Sequence, residues 1–151
     1  AAMEDLTEGA TDPNGLGFNG YEVGCSGYLT FSAVDVTSIG SGYQNTMDFV
    51  NFGCTTQNGG ITAAQAAIDA EISGYSDWYI PSIEELLEMY NTIGNGGGEG
   101  NIGGFETNSS PYWSSSITNS GSNVHWLSFL DGFISAASKN VTRRVRVIRS
   151  F

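Results

Sequence analysis

The side chains able to do chemistry in this chain are few and unevenly placed. His125 is the sole histidine, Cys25 and Cys54 are the sole cysteines, and Lys139, Arg143, Arg144, Arg146 and Arg149 are the sole basic residues. Ser114-Ser115-Ser116 offers three hydroxyls, but it lacks the nucleophile-elbow context that activates a serine. His125 sits beside Trp126 on an expected strand, a position that suits a packed or exposed strand residue better than a general base. Two thiols cannot supply the four ligands of a structural zinc site. A Cys25–Cys54 disulfide is expected instead, closing a loop of about 30 residues and stabilising by roughly 3–4 kcal/mol in the chain-entropy model. Two buried thiols are the alternative.

Oxygen-bearing side chains are better represented. Asp12 and Asn14 lie in the turn signature Asp12-Pro13-Asn14-Gly15. Asn95, Glu99, Asn101 and Glu106 lie in or beside a Gly-rich stretch. Either set could offer oxygens to Ca2+, with Asp12, Asn14, Glu99 and Glu106 as the candidate metal ligands, although neither has EF-hand spacing. Tyr112, Trp113, Trp126 and Phe129 could stack on sugar rings, while strand alternation puts half of such residues in a core. The candidate ligand-binding residues are therefore Asn95, Glu99, Asn101, Glu106, Tyr112, Trp113 and Trp126.

Charge narrows the partners. The chain has 151 residues, 16 acidic and 5 basic, for a net charge of −11. Every basic residue falls at position 139 or later. A duplex nucleic-acid binder needs a basic face, which so short a tail does not provide. No apolar stretch approaches the roughly 18–20 residues that span a bilayer, so membrane insertion is not expected. No signal peptide is visible, and Ala1 is not an initiator, so a processed or trimmed chain is expected. The length fits a single domain, residues 1–151. Scarce lysine, abundant Asn, Ser, Thr and Gly, and the cysteine pair point to a secreted or cell-surface protein.

The elements that must hold these residues follow from pattern. A short helix is expected from Thr46 to about Phe52 with Asn45 as cap. Thr62-Ala63-Ala64-Gln65 and Ser82-Ile83-Glu84-Glu85 match capping boxes opening two better-specified helices. In the first, Ile61, Ala64, Ile68 and Ile72 share a face. In the second, Ile83, Leu86, Leu87 and Tyr90 form the apolar stripe. Glu84, Glu85 and Glu88 read as solvated. Residues 94–104 form a Gly-rich loop. Tyr112–Ile117, Asn123–Leu130, Phe133–Ala137 and Val141–Phe151 read as strands, with Asp131-Gly132 as a two-residue hairpin turn. The class is α+β: helices packed on twisted antiparallel sheets, with long Gly-rich loops.

Three segments together resemble a known family. They are Gly74-Tyr75-Ser76-Asp77-Trp78-Tyr79-Ile80-Pro81-Ser82 with the following Glu85-Leu86 and Met89-Tyr90, then Tyr112-Trp113-Ser114-Ser115-Ser116, then Val145-Arg146-Val147-Ile148-Arg149-Ser150-Phe151. They resemble the C-terminal domain of bacterial collagen-like adhesins. The resemblance covers about residues 20–151. It implies a C-type-lectin-like fold, related to that of formylglycine-generating enzymes and of retroelement-diversified receptor-binding proteins, in which a long loop region carries ligand binding. Formylglycine chemistry needs a late cysteine pair, and Cys25 and Cys54 lie early, so that activity does not carry over. The family's N-terminal strand has no counterpart before Ala1, so it is expected to be missing or supplied elsewhere, which leaves an edge open to self-association. Asp77 and Trp78 are read as structural, Asp77 as partner of a turn or of Arg146 or Arg149. Arg144, Arg146 and Arg149 are expected to anchor the last strand against helix acids.

The expectation is an extracellular, non-catalytic adhesion domain that recognises a glycan or a surface protein through loops 94–110 and 118–123. The rival is a filament subunit assembled by strand exchange. A hydrolase or oxidase on the same fold is a weaker alternative.

Overall fold

A computed structural model describes residues 1–13, 15, 17, 19–25, 29–31 and 35–150. Three helices precede three strands: α1 (Gly42–Asn51), α2 (Ala63–Asp69), α3 (Ile83–Thr92), β1 (Tyr112–Ile117), β2 (Asn123–Leu127) and β3 (Ile134–Ser138). The strands form an antiparallel sheet in the order β1-β2-β3. The class is α+β, as the pattern predicts.

α3 forms as its capping box dictates. Ser82 Oγ accepts from Glu85 N at 3.2 Å, and Glu85 Oε2 accepts from Ser82 N at 2.7 Å. Ile83, Leu86 and Met89 are its buried face. Glu84 and Glu88 are exposed, but Glu85 is buried and its other oxygen takes the Gly40 N–H at 2.9 Å. This acid is internal because it caps two segments at once. α2 shows half of its expected box. Thr62 Oγ1 accepts from Gln65 N at 3.2 Å, while the Gln65 side chain turns forward to Asp69 at 2.8 Å. Its buried face is Ala63, Ala64, Ala66 and Ala67 rather than the isoleucine stripe, and Ile61 is exposed. Small side chains let the helix approach the core closely.

α1 starts earlier than its pattern implies. Asn45 is not the cap but a buried helical residue whose Nδ2 donates to Val36 O at 2.7 Å. The start at Gly42 depends on glycine, because a Cβ there would meet Ile80 O at 2.8 Å and Ser82 N at 2.9 Å.

β1 is buried along its whole length. Tyr112 pairs with Leu127 and Trp113 with Trp126, yet Ile117 pairs with Val124, so the serine run bulges. Hydroxyls replace the lost ladder bonds. Ser114 Oγ donates to His125 O at 2.8 Å, and Ser116 Oγ donates to Val36 O at 2.6 Å while accepting from Ile83 N at 2.9 Å. The sheet divides the core. Trp113, Ile117 and Val124 face a cluster with Tyr21, Phe49, Trp78, Val145 and Val147. Tyr112 and Leu127 face a second cluster with Leu86, Phe105 and Phe129.

Two strand expectations change. Leu127 pairs with Ile134, so residues 128–133 connect β2 to β3 instead of a two-residue turn. Phe129 leaves the strand to stack on Phe105, with ring centroids 3.9 Å apart, and burial of that ring sets the longer loop. The C-terminal segment is not one continuous strand. Arg143 bridges to Tyr21, Arg144 to Tyr112 and Ile148 to Tyr79. Val145 O and Val147 O accept from Leu6 N and Ala2 N, each at 2.9 Å. Partners change every residue or two, so no ladder propagates. Residues 2–6 of the same chain thus occupy the edge beside Val145–Val147.

Candidate functional site

The expected ligand-binding residues divide between surface and core. Tyr112 and Trp113 are fully buried and present no face to a ligand. Asn101 brackets its own loop, its Nδ2 donating to Phe105 O at 2.7 Å and its Oδ1 accepting from Phe105 N at 3.1 Å. Asn95 Nδ2 is bound to Leu130 O at 2.8 Å. Gly103 O and Gly104 O accept from Arg146. Two backbone carbonyls at the end of the Gly-rich loop thus serve the fold. Glu99 and Glu106 are exposed, and Glu106 takes Asn108 Nδ2 at 3.1 Å. Asp12 accepts from Gly17 N at 3.0 Å, and Asn14 lies outside the described residues. Among the described residues, no three His, Cys, Asp or Glu side chains gather as metal ligands do. In loop 118–123, the Thr118, Ser120 and Ser122 hydroxyls form an exposed chain, while Gly121 O points inward to Lys139 Nζ at 2.8 Å.

The residues expected to be structural make contacts within the fold. Cys25 and Cys54 are joined by a disulfide, with Cα atoms 4.5 Å apart. Trp78 is buried and donates to Tyr75 O at 2.8 Å. Arg149 forks onto Asp77 at 2.8 and 3.0 Å, and this bond holds the exposed Asp77 carboxyl below the usual range. Arg146 does not meet helix acids. Its Nε reaches Asp5 Oδ1 at 2.7 Å, its Nη atoms reach the carbonyls of Ala2, Met3, Gly103 and Gly104, and its plane lies 4.5 Å from the Phe105 centroid. Asp5 also accepts from Tyr112 OH at 2.9 Å and from Arg144 Nη1 at 3.4 Å. This clasp fastens the N-terminal segment.

One basic residue is treated differently. The backbone of Arg143 is fixed by reciprocal bonds to Tyr21, at 2.8 and 3.1 Å. Its guanidinium lies over the rings of two neighbouring indoles, 5.3 Å from the Trp113 centroid and 4.8 Å from the Trp126 centroid. The indoles are cross-strand partners, and Trp113 is locked by its own N–H to Tyr21 O at 2.9 Å. No hydrogen bond or ion pair joins the Arg143 guanidinium to any described residue, and its buried Nε and the buried Trp126 Nε1 have no partner. Burial lowers the pKa of Arg143 from its ordinary value, because desolvation disfavours the charge.

Arg143 stands where two cavities adjoin. The larger, about 570 Å3, is polar, with Asp12, Glu22, Gln57, Asn58, Asn140 and Thr142 in its wall. The smaller, about 370 Å3, is walled by Trp126, Leu130, Phe133 and Asp131. They share Ser109, Pro111 and Arg143, making a groove with two lobes and the guanidinium at its waist. The rim is preorganised. Glu22 is buried and accepts from Gln57 N at 3.1 Å and Asn58 N at 2.9 Å. Asn140 Nδ2 donates to Gln57 Oε1 at 3.0 Å, and Asn108 Oδ1 accepts from Ser110 N at 3.0 Å. The disulfide anchors the loop that carries Gln57 and Asn58. His125 lines neither lobe.

Such a groove can stack a ring on Trp126 and Phe133 and bond oxygens along its rim. Of the predicted residues, Trp126 and Asp12 line it, in different lobes. Arg143, Phe133 and Asn140 were not predicted. Their signal was a basic residue on the same strand face as Val145 and Val147, which places a cation toward a core where aromatic rings are the available neighbours.

No protein-family model matches the chain, and no curated protein matches it.

Proposed function

We propose that this chain is an extracellular, non-catalytic ligand-binding domain of C-type-lectin-like kind that holds a glycan in the groove around Arg143 and Trp126. The observation that carries this reading is the Arg143 guanidinium, set over two indoles and without a hydrogen-bond partner among the described residues, at the waist of a groove rimmed by Asn, Gln, Ser and Thr. Sugars need both halves of that description: an apolar surface for a ring face and fixed polar groups for hydroxyls. The disulfide, together with the absence of a helix long and apolar enough to cross a membrane among the described residues, fits a secreted or surface location. Strand-exchange assembly is less favoured, because Ala2 and Leu6 already bond to the Val145–Val147 edge.

The test is a glycan array probed with the wild-type domain and with Trp126→Ala, with and without EDTA. Binding that survives EDTA and falls with Trp126→Ala is expected. Failure to bind any sugar would sink the reading.

A further inference from the structure

Resting on that reading, we infer that the glycan bound in the groove carries a carboxylate, a sugar acid on an otherwise neutral oligosaccharide, which Arg143 holds at the waist between the two lobes.

The argument starts from the other basic residues. Arg144 and Arg146 share Asp5, Arg149 takes Asp77, and Lys139 is buried on Gly121 O. Among the described residues, Arg143 alone has no acidic or carbonyl partner, although burial depresses its charged form. A planar guanidinium presents its N–H donors as a rigid fork, and that of Arg143 lies beside the Trp113 and Trp126 rings, 5.3 and 4.8 Å from their centroids. The complement of a fixed planar fork is a planar two-oxygen acceptor, which is a carboxylate.

The surroundings limit the charge to one. Asp12 and Glu22 line the larger lobe and Asp131 the smaller, in a chain of net charge −11. A polysulfated or polyphosphorylated chain would meet these acids along its length. A single carboxylate at the waist meets Arg143, while its neutral neighbours can donate hydroxyls to the acids.

The experiment compares matched sugars on the same array and then by titration: uronate-containing oligosaccharides, their methyl esters and their carboxyl-reduced forms. The wild type is expected to favour the acid over the ester by roughly 10–100-fold. Arg143→Gln should bind acid and ester alike. Arg143→Lys, which keeps the charge but loses the fork, should retain only a small preference. Trp126→Ala, which removes the ring in the wall of the smaller lobe, should weaken acid and ester binding alike. Circular dichroism and thermal melting confirm that each variant is folded. Equal affinity for acid and ester in the wild type overturns the inference and leaves glycan binding standing. No binding to any of the sugars overturns both.

Discussion

Arg143 and Arg146 lie three positions apart on the same segment, and the molecule uses them in opposite ways. Arg146 is buried, with five oxygen acceptors around its guanidinium and the Phe105 ring against its plane. Arg143 has two indole rings beside it and no acceptor among the described residues. The first closes a clasp on the N-terminal segment. The second leaves its donors toward a groove. Burial with full satisfaction marks a fold contact, whereas a half-buried cation without an acceptor among the described residues is open to another partner. Both are arginines, so residue type does not separate the roles; the acceptors nearby do.

The largest test of this contrast is Arg146→Met. It removes every one of those bonds and leaves Asp5 and four carbonyls short of a donor. Breaking a buried pair from one side costs about 3–5 kcal/mol, which for a domain of this size lowers Tm by roughly 6–20 °C. Urea and thermal unfolding check it. Unchanged stability would dissolve the distinction.

The sequence carried the elements better than the site. The Ser82 capping box and the Tyr112–Ile117 strand stand where their residues place them, because both signals are local. Glu85 read as solvated because its second partner, Gly40 N, lies 45 positions away. The Asp131-Gly132 turn lengthened because Phe129 is drawn to Phe105, a contact that the two residues flanking a turn do not encode. The C-terminal strand broke into bridges because it meets Tyr21, Tyr112, Tyr79 and the N-terminal segment in succession. The groove was the least legible part. It is assembled from loops near residues 12, 57, 109, 131 and 141, and no spacing within one stretch announces such a gathering. Trp126 was identified by its type; Arg143 was assigned no role.

The disulfide should separate the two regions next. Replacing Cys25 and Cys54 with serine opens a cross-link spanning 29 positions, costing about 3–4 kcal/mol in the chain-entropy model. Cys54 leads directly into the loop whose Gln57 and Asn58 amides bind Glu22. Hydrogen exchange should therefore quicken at Gln57 and Asn58 in the double variant, while Ala2 and Leu6 in the clasp stay protected. Equal loosening of both regions would mean that they unfold as one unit.

Tyr112→Phe is a smaller step inside the clasp. The hydroxyl donates to Asp5 and accepts from Glu106 N, so its loss costs about 1 kcal/mol at neutral pH. Burial and the Asp5 charge push the Tyr112 phenol well above its ordinary range, and burial pushes Tyr21 up to about 12. Both folded values are raised. Their contribution is complete below the unfolded value near 10 and is lost as pH climbs above it, since the unfolded chain then releases protons that the folded chain keeps. Denaturation curves from pH 8 to 12 should fall steeply for the wild type above pH 10 and less steeply for Tyr112→Phe. Parallel curves would remove Tyr112 from the account.

The smallest effect on stability is expected at Arg143, and it carries the comparison. Arg143→Met gives up two cation–π contacts, worth about 0.5–2 kcal/mol each. It also relieves the desolvation of a donor with no partner, worth about 1–3 kcal/mol. A methionine stem can pack between the same indoles. These effects oppose each other, so unfolding free energy should move by no more than about 1 kcal/mol. Arg146→Met and Arg143→Met, measured side by side in urea, then differ several-fold in cost for the same change in chemistry three residues apart. A loss at Arg143 as large as at Arg146 would make it a second fold contact, and the groove would lose the group that gives it a reason to bind.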